Sequence, residues 1–200
     1  MKYLVPLGNP GSKYQDTRHN VGWLAMDYVL ATRGWPHLVA DKQQSGRVTA
    51  AQLGSHSLTV LYPETYMNNS GAAVAKLVPQ ANTSDLIVVH DDIDLPFGQI
   101  KISHGRGGGG NNGVSSIIQK LGSKDFVRIR IGIAPKSFWT GQVKRPAGGG
   151  PLERFVLKSF TPSERKQLPE LFAQVDTALE AVILQGVEAA MNQYNQSNQT

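Results

Sequence analysis

Residues Leu86-Ile87-Val88-Val89-His90 are apolar up to the last and run directly into the acids of Asp91-Asp92-Ile93-Asp94. A short apolar run rich in β-branched residues, with no polar alternation, fits a strand covered on both faces. Such a strand needs helices above and below it, which points to an α/β fold. It also delivers a cluster of polar side chains to one strand end, where ligands bind in sheets of this kind.

The rest of the chain supplies the other layers. Residues 2–7 read as a second buried strand, and residues 46–53 and 58–62 as a hairpin split by a four-residue connection, 54–57. Residues 126–133 (FVRIRIGI) alternate, so Val127, Ile129, Ile131 and Ile133 share one face and Arg128 and Arg130 the other. A further alternating strand is expected over 99–103. Val21, Leu24, Ala25 and Tyr28 mark a helix running to about Arg33, and Ser70 is the expected cap of a helix over 71–78. A short helix is expected near 114–121. Thr161-Pro162-Ser163-Glu164 reads as a capping box opening a helix lined by Leu168, Leu171, Phe172, Val175 and Leu179, with Pro169 expected to kink or delay it. The chain's 200 residues suit one domain, read as residues 1–191, followed by a disordered polar tail over 192–200.

Composition narrows the chemistry. With no cysteine, disulfides, thiolate metal sites and a Cys nucleophile are excluded. The N-terminal apolar run is too short for an export signal or a membrane span, so a cytoplasmic location is expected. Between Lys101 and Arg145 nine basic residues face one acid, Asp125, a net +8, whereas the remainder carries eleven bases and fourteen acids, a net −3. A localised basic segment fits a nucleic-acid partner, although a solvated face without a partner reads equally well from charge alone.

Four segments offer side chains for chemistry. In LGNPGSKYQDTRHNVG, residues 7–22, His19 falls at a helix start, where its pKa is expected to drop and leave a neutral imidazole able to act as a base. Asn9, Asp16 and Asn20 there read equally as turn and cap residues. In His90-Asp91-Asp92-Ile93-Asp94 a carboxylate could orient that imidazole; a metal site and plain turn chemistry are the rivals, and alternation points His90 and Asp91 to opposite faces. Gly105, Gly107 and Gly110 formally satisfy a dinucleotide fingerprint with Asp125 downstream, but the following helix is too short for the usual crossover. A glycine loop bringing backbone N–H groups and Asn112 near a substrate fits better. Glu64 to Gly71, a polar break between hairpin and helix, reads by itself as a capped loop. Neither a G-x-S-x-G elbow nor a Walker A loop occurs, which argues against a serine hydrolase or a P-loop enzyme.

Taken together, LGNPGSKYQDTRHNVG, TYMNNSG, VVHDDIDLPFG, GGGGNNG and FVRIRIGI resemble the bacterial peptidyl-tRNA hydrolase family, collinearly over residues 3–133 and more loosely through FVLKSFTPSE. The resemblance implies a monomeric, single-domain three-layer α/β/α fold with a mixed, largely parallel twisted sheet. The implied reaction is hydrolysis of the ester joining a peptide to the tRNA 3′ ribose, without cofactor or metal. It carries the base onto His19 and its carboxylate partner onto Asp91. Asn9 is implied to hold the peptide end, Asn68 and Asn112 to hold substrate and water, and Tyr14 and Tyr66 to contact the tRNA end. Arg106 and Arg130, with Ser103, stand near the family's basic tRNA contacts. Ser103 departs from the lysine often found there, and Asn111 replaces a histidine. Residues 135–150 are longer than the family pattern, and Lys144 and Arg145 make that insert a further RNA-contact candidate. The rivals are an RNA-binding factor on the same fold that has lost catalysis, and a dinucleotide-binding domain.

Overall fold

The computed structural model describes residues 1–136 and 143–196. Among them one sheet contains β1 (Lys2–Pro6), β2 (Val39–Asp41), β3 (Gly46–Leu53), β4 (His56–Pro63), β5 (Leu86–Pro96), β6 (Ile100–His104) and β7 (Val127–Ala134), in the order β2-β3-β4-β1-β5-β7-β6. The four central strands β4, β1, β5 and β7 run parallel, and the antiparallel pairs β2-β3, β3-β4 and β6-β7 lie to either side. The apolar run thus sits at the middle of the sheet and is buried throughout.

Its two faces pack differently. Ile87 and Val89 join a core closed by α1 (Val21–Arg33) and α5 (Pro162–Leu184), while Leu86 and Val88 join a second core closed by α2 (Ser70–Leu77) and α3 (Asn112–Leu121). Each such side chain contributes roughly 1.5–3 kcal/mol by leaving water, and the two cores give the three layers. Val127, Ile129, Ile131 and Ile133 all enter the first core, as their alternation requires.

Several elements differ from expectation. The hairpin turn is only Gly54 and Ser55, because Leu53 pairs directly with His56. Asn69, not Ser70, precedes α2, and the Ser70 hydroxyl donates back to the Met67 carbonyl. The capping box at Thr161 and Glu164 is present, and Pro169 sits inside α5 without ending or delaying it. The expected tail from 192 is instead helical through Gln196, as the end of α6 (Val187–Gln196). Met191 and Tyr194 pack on the core, and the Asn195 side chain bonds both the N–H and the carbonyl of Ile102 on edge strand β6, which holds this polar sequence in place. Residues 197–200 lie outside the described residues. Two elements went unread: β2 and α4 (Gly150–Val156).

The connection leaving β1 leads toward β4 and that leaving β5 toward β6 and β7, so a crevice opens between the carboxyl ends of β1 and β5.

Candidate active site

Two chain segments meet at that crevice. The Leu7 N–H donates to the Val89 carbonyl at 2.8 Å, carrying the loop after β1 along β5 before it turns away. A short 3-10 turn, Arg18–Asn20, then leads into α1. Gly22 lets α1 begin against the strands: a Cβ there would lie 2.5 Å from the Val89 carbonyl oxygen and 2.7 Å from that of Leu7. No larger residue fits without moving the helix.

This approach places His19 over Asp91, with Nδ1 at 2.9 Å from Oδ2. The carboxylate accepts, so the neutral imidazole carries its proton on Nδ1 and presents the Nε2 lone pair. Burial alone would lower the His19 pKa, but the charge and hydrogen bond of Asp91 outweigh it and hold it above the ordinary value. The expected fall at a helix start is therefore corrected, because the paired carboxylate dominates. His90 behaves oppositely. Fully buried beside Arg128, it is lowered to about 4, with burial the main cause, and it stays neutral.

Asparagines brace the pair. The Asn9 N–H donates to Asn20 Oδ1 at 2.9 Å, and Asn20 Nδ2 returns a bond to the Asn9 carbonyl at 3.0 Å. Asn9 Oδ1 accepts from the Met67 N–H at 2.7 Å, which leaves Nδ2 as the donor available to a ligand. Asn111 Nδ2 donates to Asp91 Oδ1 at 2.8 Å, while Asn111 Oδ1 accepts from the N–H groups of Gly113 and Val114 at the start of α3. Arg18, buried next to His19, donates to the Lys158 and Ser159 carbonyls and pairs with Glu164 at 2.6 Å, with Phe155 and Phe160 against its guanidinium.

A cavity of about 650 Å³ opens onto this arrangement. Asn9, His19 and Asp91 line it, as do Tyr14, Tyr66, Asn68 and Asn112. Tyr14 and Tyr66 meet edge to face at 6.4 Å, and Tyr66 is 59% exposed at the mouth. Arg106 and Arg130 are not in that cavity. They line a neighbouring one of about 450 Å³ with Lys101, Ser103 and Arg128, and Asp92 and Gly109 border both. Asp92 pairs with Arg130 at 2.6 Å, and Arg130 Nη1 donates to Ser103 Oγ at 3.3 Å. Four of the basic residues noted in the sequence thus gather around one hollow. Arg145 is held by Asp94 at 2.6 Å, and part of the 135–150 insert lies outside the described residues.

A scan against family models matches residues 3–200 to the family described as peptidyl-tRNA hydrolase. The chain belongs to the peptidyl-tRNA hydrolase family. A Nocardia farcinica protein named peptidyl-tRNA hydrolase is 41% identical over 192 residues, covering 95% of this chain and 94% of that one. One of the same name from Mycobacterium tuberculosis is 40% identical over 191 residues, with 94% of each chain covered. The crystal structure of peptidyl-tRNA hydrolase from Acinetobacter baumannii superposes with a TM-score of 0.82 at 29% identity, covering 98% of this chain and 94% of that one. The three-layer fold is therefore that of an enzyme family of aminoacyl-tRNA ester hydrolases. Among the described residues, no helix is long and apolar enough to cross a membrane, and no group of three or more His, Cys, Asp or Glu gathers as a metal site.

Sequence reading missed Asn20, Met67 and Asn111 as parts of the site, and the cavity wall formed by Leu152, Glu153 and Val156 of α4. Asn20 and Asn111 lie in motifs already singled out, but an asparagine in a loop looks like a turn former until its partners are known. The wall carried no signal, because GPLERFV is too short to show a helical period.

Proposed function

We propose that this chain hydrolyses the ester between a peptide and the 3′ ribose of tRNA, with His19 as base, Asp91 as its partner and water as nucleophile. The observation that carries the reading is the His19–Asp91 pair, 2.9 Å apart and facing a cavity, in a chain of this family. His19 Nε2 takes a proton from water as the water oxygen bonds to the ester carbon. The resulting tetrahedral oxyanion expels the ribose oxygen, to which the imidazolium returns the proton, releasing peptide and tRNA. Asp91 keeps its charge beside the transient imidazolium. Side-chain N–H groups of Asn9, Asn68 and Asn112 are the donors for substrate and oxyanion, and losing one such donor typically costs about 100- to 1000-fold. This sequence calls on no metal.

Discrimination follows from the same polar cavity. An acylated amino end offers a neutral amide to Asn9, whereas a free aminoacyl end presents an ammonium that an N–H donor repels. Tyr14 and Tyr66 form an aromatic edge suited to stacking the bases of the tRNA end, and Arg106 and Arg130, with Lys144 and Arg145 of the insert, serve its phosphates without reading sequence. The protein acts as a monomer in the cytoplasm, where this substrate arises.

The test compares release from N-acyl-aminoacyl-tRNA and from free aminoacyl-tRNA by wild type, His19→Ala and Asp91→Asn. Wild type should cleave only the acylated substrate and both variants should be severely impaired. Absence of release by wild type would overturn the activity, and near-normal turnover by His19→Ala would overturn the mechanism.

A further inference from the structure

The Asp91 carboxylate has two oxygens, and only Oδ2 reaches His19. The other, Oδ1, accepts from Asn111 Nδ2 at 2.8 Å, and the same nitrogen lies 3.3 Å from the Asp91 backbone carbonyl. The orientation of that carboxamide is settled by its other end: Oδ1 accepts from the N–H groups of Gly113 at 3.0 Å and Val114 at 3.1 Å, so the nitrogen must face Asp91. Asn111 is 8% exposed and cannot turn away without leaving two helix N–H groups unpaired. One side chain therefore joins the start of α3 to the partner of the base.

We propose that Asn111 is a positioning residue for ester hydrolysis, holding Asp91 Oδ1 so that Oδ2 stays on His19 Nδ1 through the proton transfer. The inference rests on the hydrolase reading above and deepens it. An Asp carboxylate rotates in a broad, two-fold torsional well, so a single bond to His19 leaves its plane free, whereas two bonds at opposite oxygens fix it. The α3 N–H groups polarise the amide and strengthen its donation. Because a carboxamide neither gains nor loses a proton, the brace is the same on both sides of the His19 titration. The titratable and charged groups around the pair are Arg18 beside His19, paired with Glu164; His90 and Asp92 on β5; Arg128 and Arg130 on β7; Tyr14 and Tyr66 on the flanking loops; and Glu153 on α4. Among the described residues, none of them is hydrogen-bonded to Asp91 Oδ1.

Capping and positioning are separated by two substitutions. Asn111→Asp keeps the size and the capping oxygen, since Asp and Asn cap equally well, but replaces the donor by a second carboxylate. Asn111→Ser also caps but is too short to reach Asp91. The expected result is a kcat lower by about 10- to 100-fold in both, with KM changed less than about threefold, because a misplaced catalytic group costs rate more than binding. In Asn111→Asp the acid limb of the kcat/KM profile should also move up by about one pH unit, since added negative charge favours the imidazolium. The Asn111→Ser midpoint should stay near wild type, the cap being retained, whereas Asn111→Asp sets two buried carboxylates in contact and should lose stability as pH rises. If both variants keep wild-type kcat and acid limb while wild type cleaves N-acyl-aminoacyl-tRNA, Asn111 is a helix cap alone and the proposal fails. A wild type without activity would remove the hydrolase reading itself.

Discussion

Gly71 is the point at which fold and site are most tightly joined. It opens α2 against α3, and a Cβ on it would stand 2.1 Å from the Ser116 carbonyl oxygen, 2.6 Å from its carbon and 3.0 Å from the Ile117 nitrogen. All three are backbone atoms, so no side chain can swing aside, and the helices must part by roughly 1 Å to restore ordinary contact. The Gly71 N–H also donates to Ser116 Oγ at 3.0 Å and would lose that partner. Overpacking of this kind costs up to about 3 kcal/mol, against which alanine regains about 1 kcal/mol of helix propensity. Gly71→Ala should therefore lose about 2 kcal/mol and lower Tm by about 4–8 °C for a chain of this size. The functional loss should be larger. Asn68 lies just before α2 and Asn112 opens α3, so separating the helices moves both, and a shift near 1 Å can cost about 100-fold in rate. Urea denaturation and turnover of N-acyl-aminoacyl-tRNA measure the two effects. Gly107→Ala is the control, because a Cβ there meets nothing within 4 Å, and its stability should lie within about 0.5 kcal/mol of wild type. A Gly71→Ala protein as stable and as active as that control would refute the reasoning.

Four further outcomes follow from charged side chains, three of them from buried ones. His90 has a pKa of about 4 in the folded protein against 6.5 unfolded, so the unfolded chain binds more protons between those values and stability falls as pH drops through that window, by about 3 kcal/mol in all. His90→Gln should shrink the difference in urea midpoint between pH 7 and pH 4.5, and an unchanged difference would show that His90 does not carry it. The raised pKa of His19 acts in the other direction, giving stability that is full below the unfolded value and lost as pH rises through the folded one, and the base loses activity as pH falls below that folded value. Glu164→Gln preserves a capping box but leaves the buried Arg18 facing a neutral amide, with an expected loss of about 1–3 kcal/mol; unaltered chemical denaturation would mean the pair adds nothing. Arg106→Ala should weaken tRNA binding at low salt and reduce the slope of log K against log salt by about 0.9 per phosphate contact, and an identical slope would remove Arg106 from the interface.

The parts of the fold that were legible in the sequence are those where one physical rule acts alone. LIVVH and FVRIRIGI are set by burial and by period-two alternation, and the α1 face by its i, i+3, i+4 spacing, so each could be read directly. His19, Asp91, Asn9, Asn68 and Asn112 came from motif resemblance, and the structure brings them to one cavity. What could not be read depends on partners distant in the chain. β5 continues to Pro96 through polar residues because β7 remains beside it, and α6 is ordered because Asn195 finds the open edge of β6. The His19 pKa direction turned on a carboxylate 72 positions away, which no local helix argument contains.

Arg18 adjoins His19 in sequence, yet its anchor Glu164 lies 146 residues further along. A ribosome making this chain therefore adds Glu164 long after Arg18, so the ion pair beside His19 can close only once α5 has begun to form. A chain cut before α5 would keep His19 and Asp91 but leave the buried Arg18 guanidinium without its carboxylate partner.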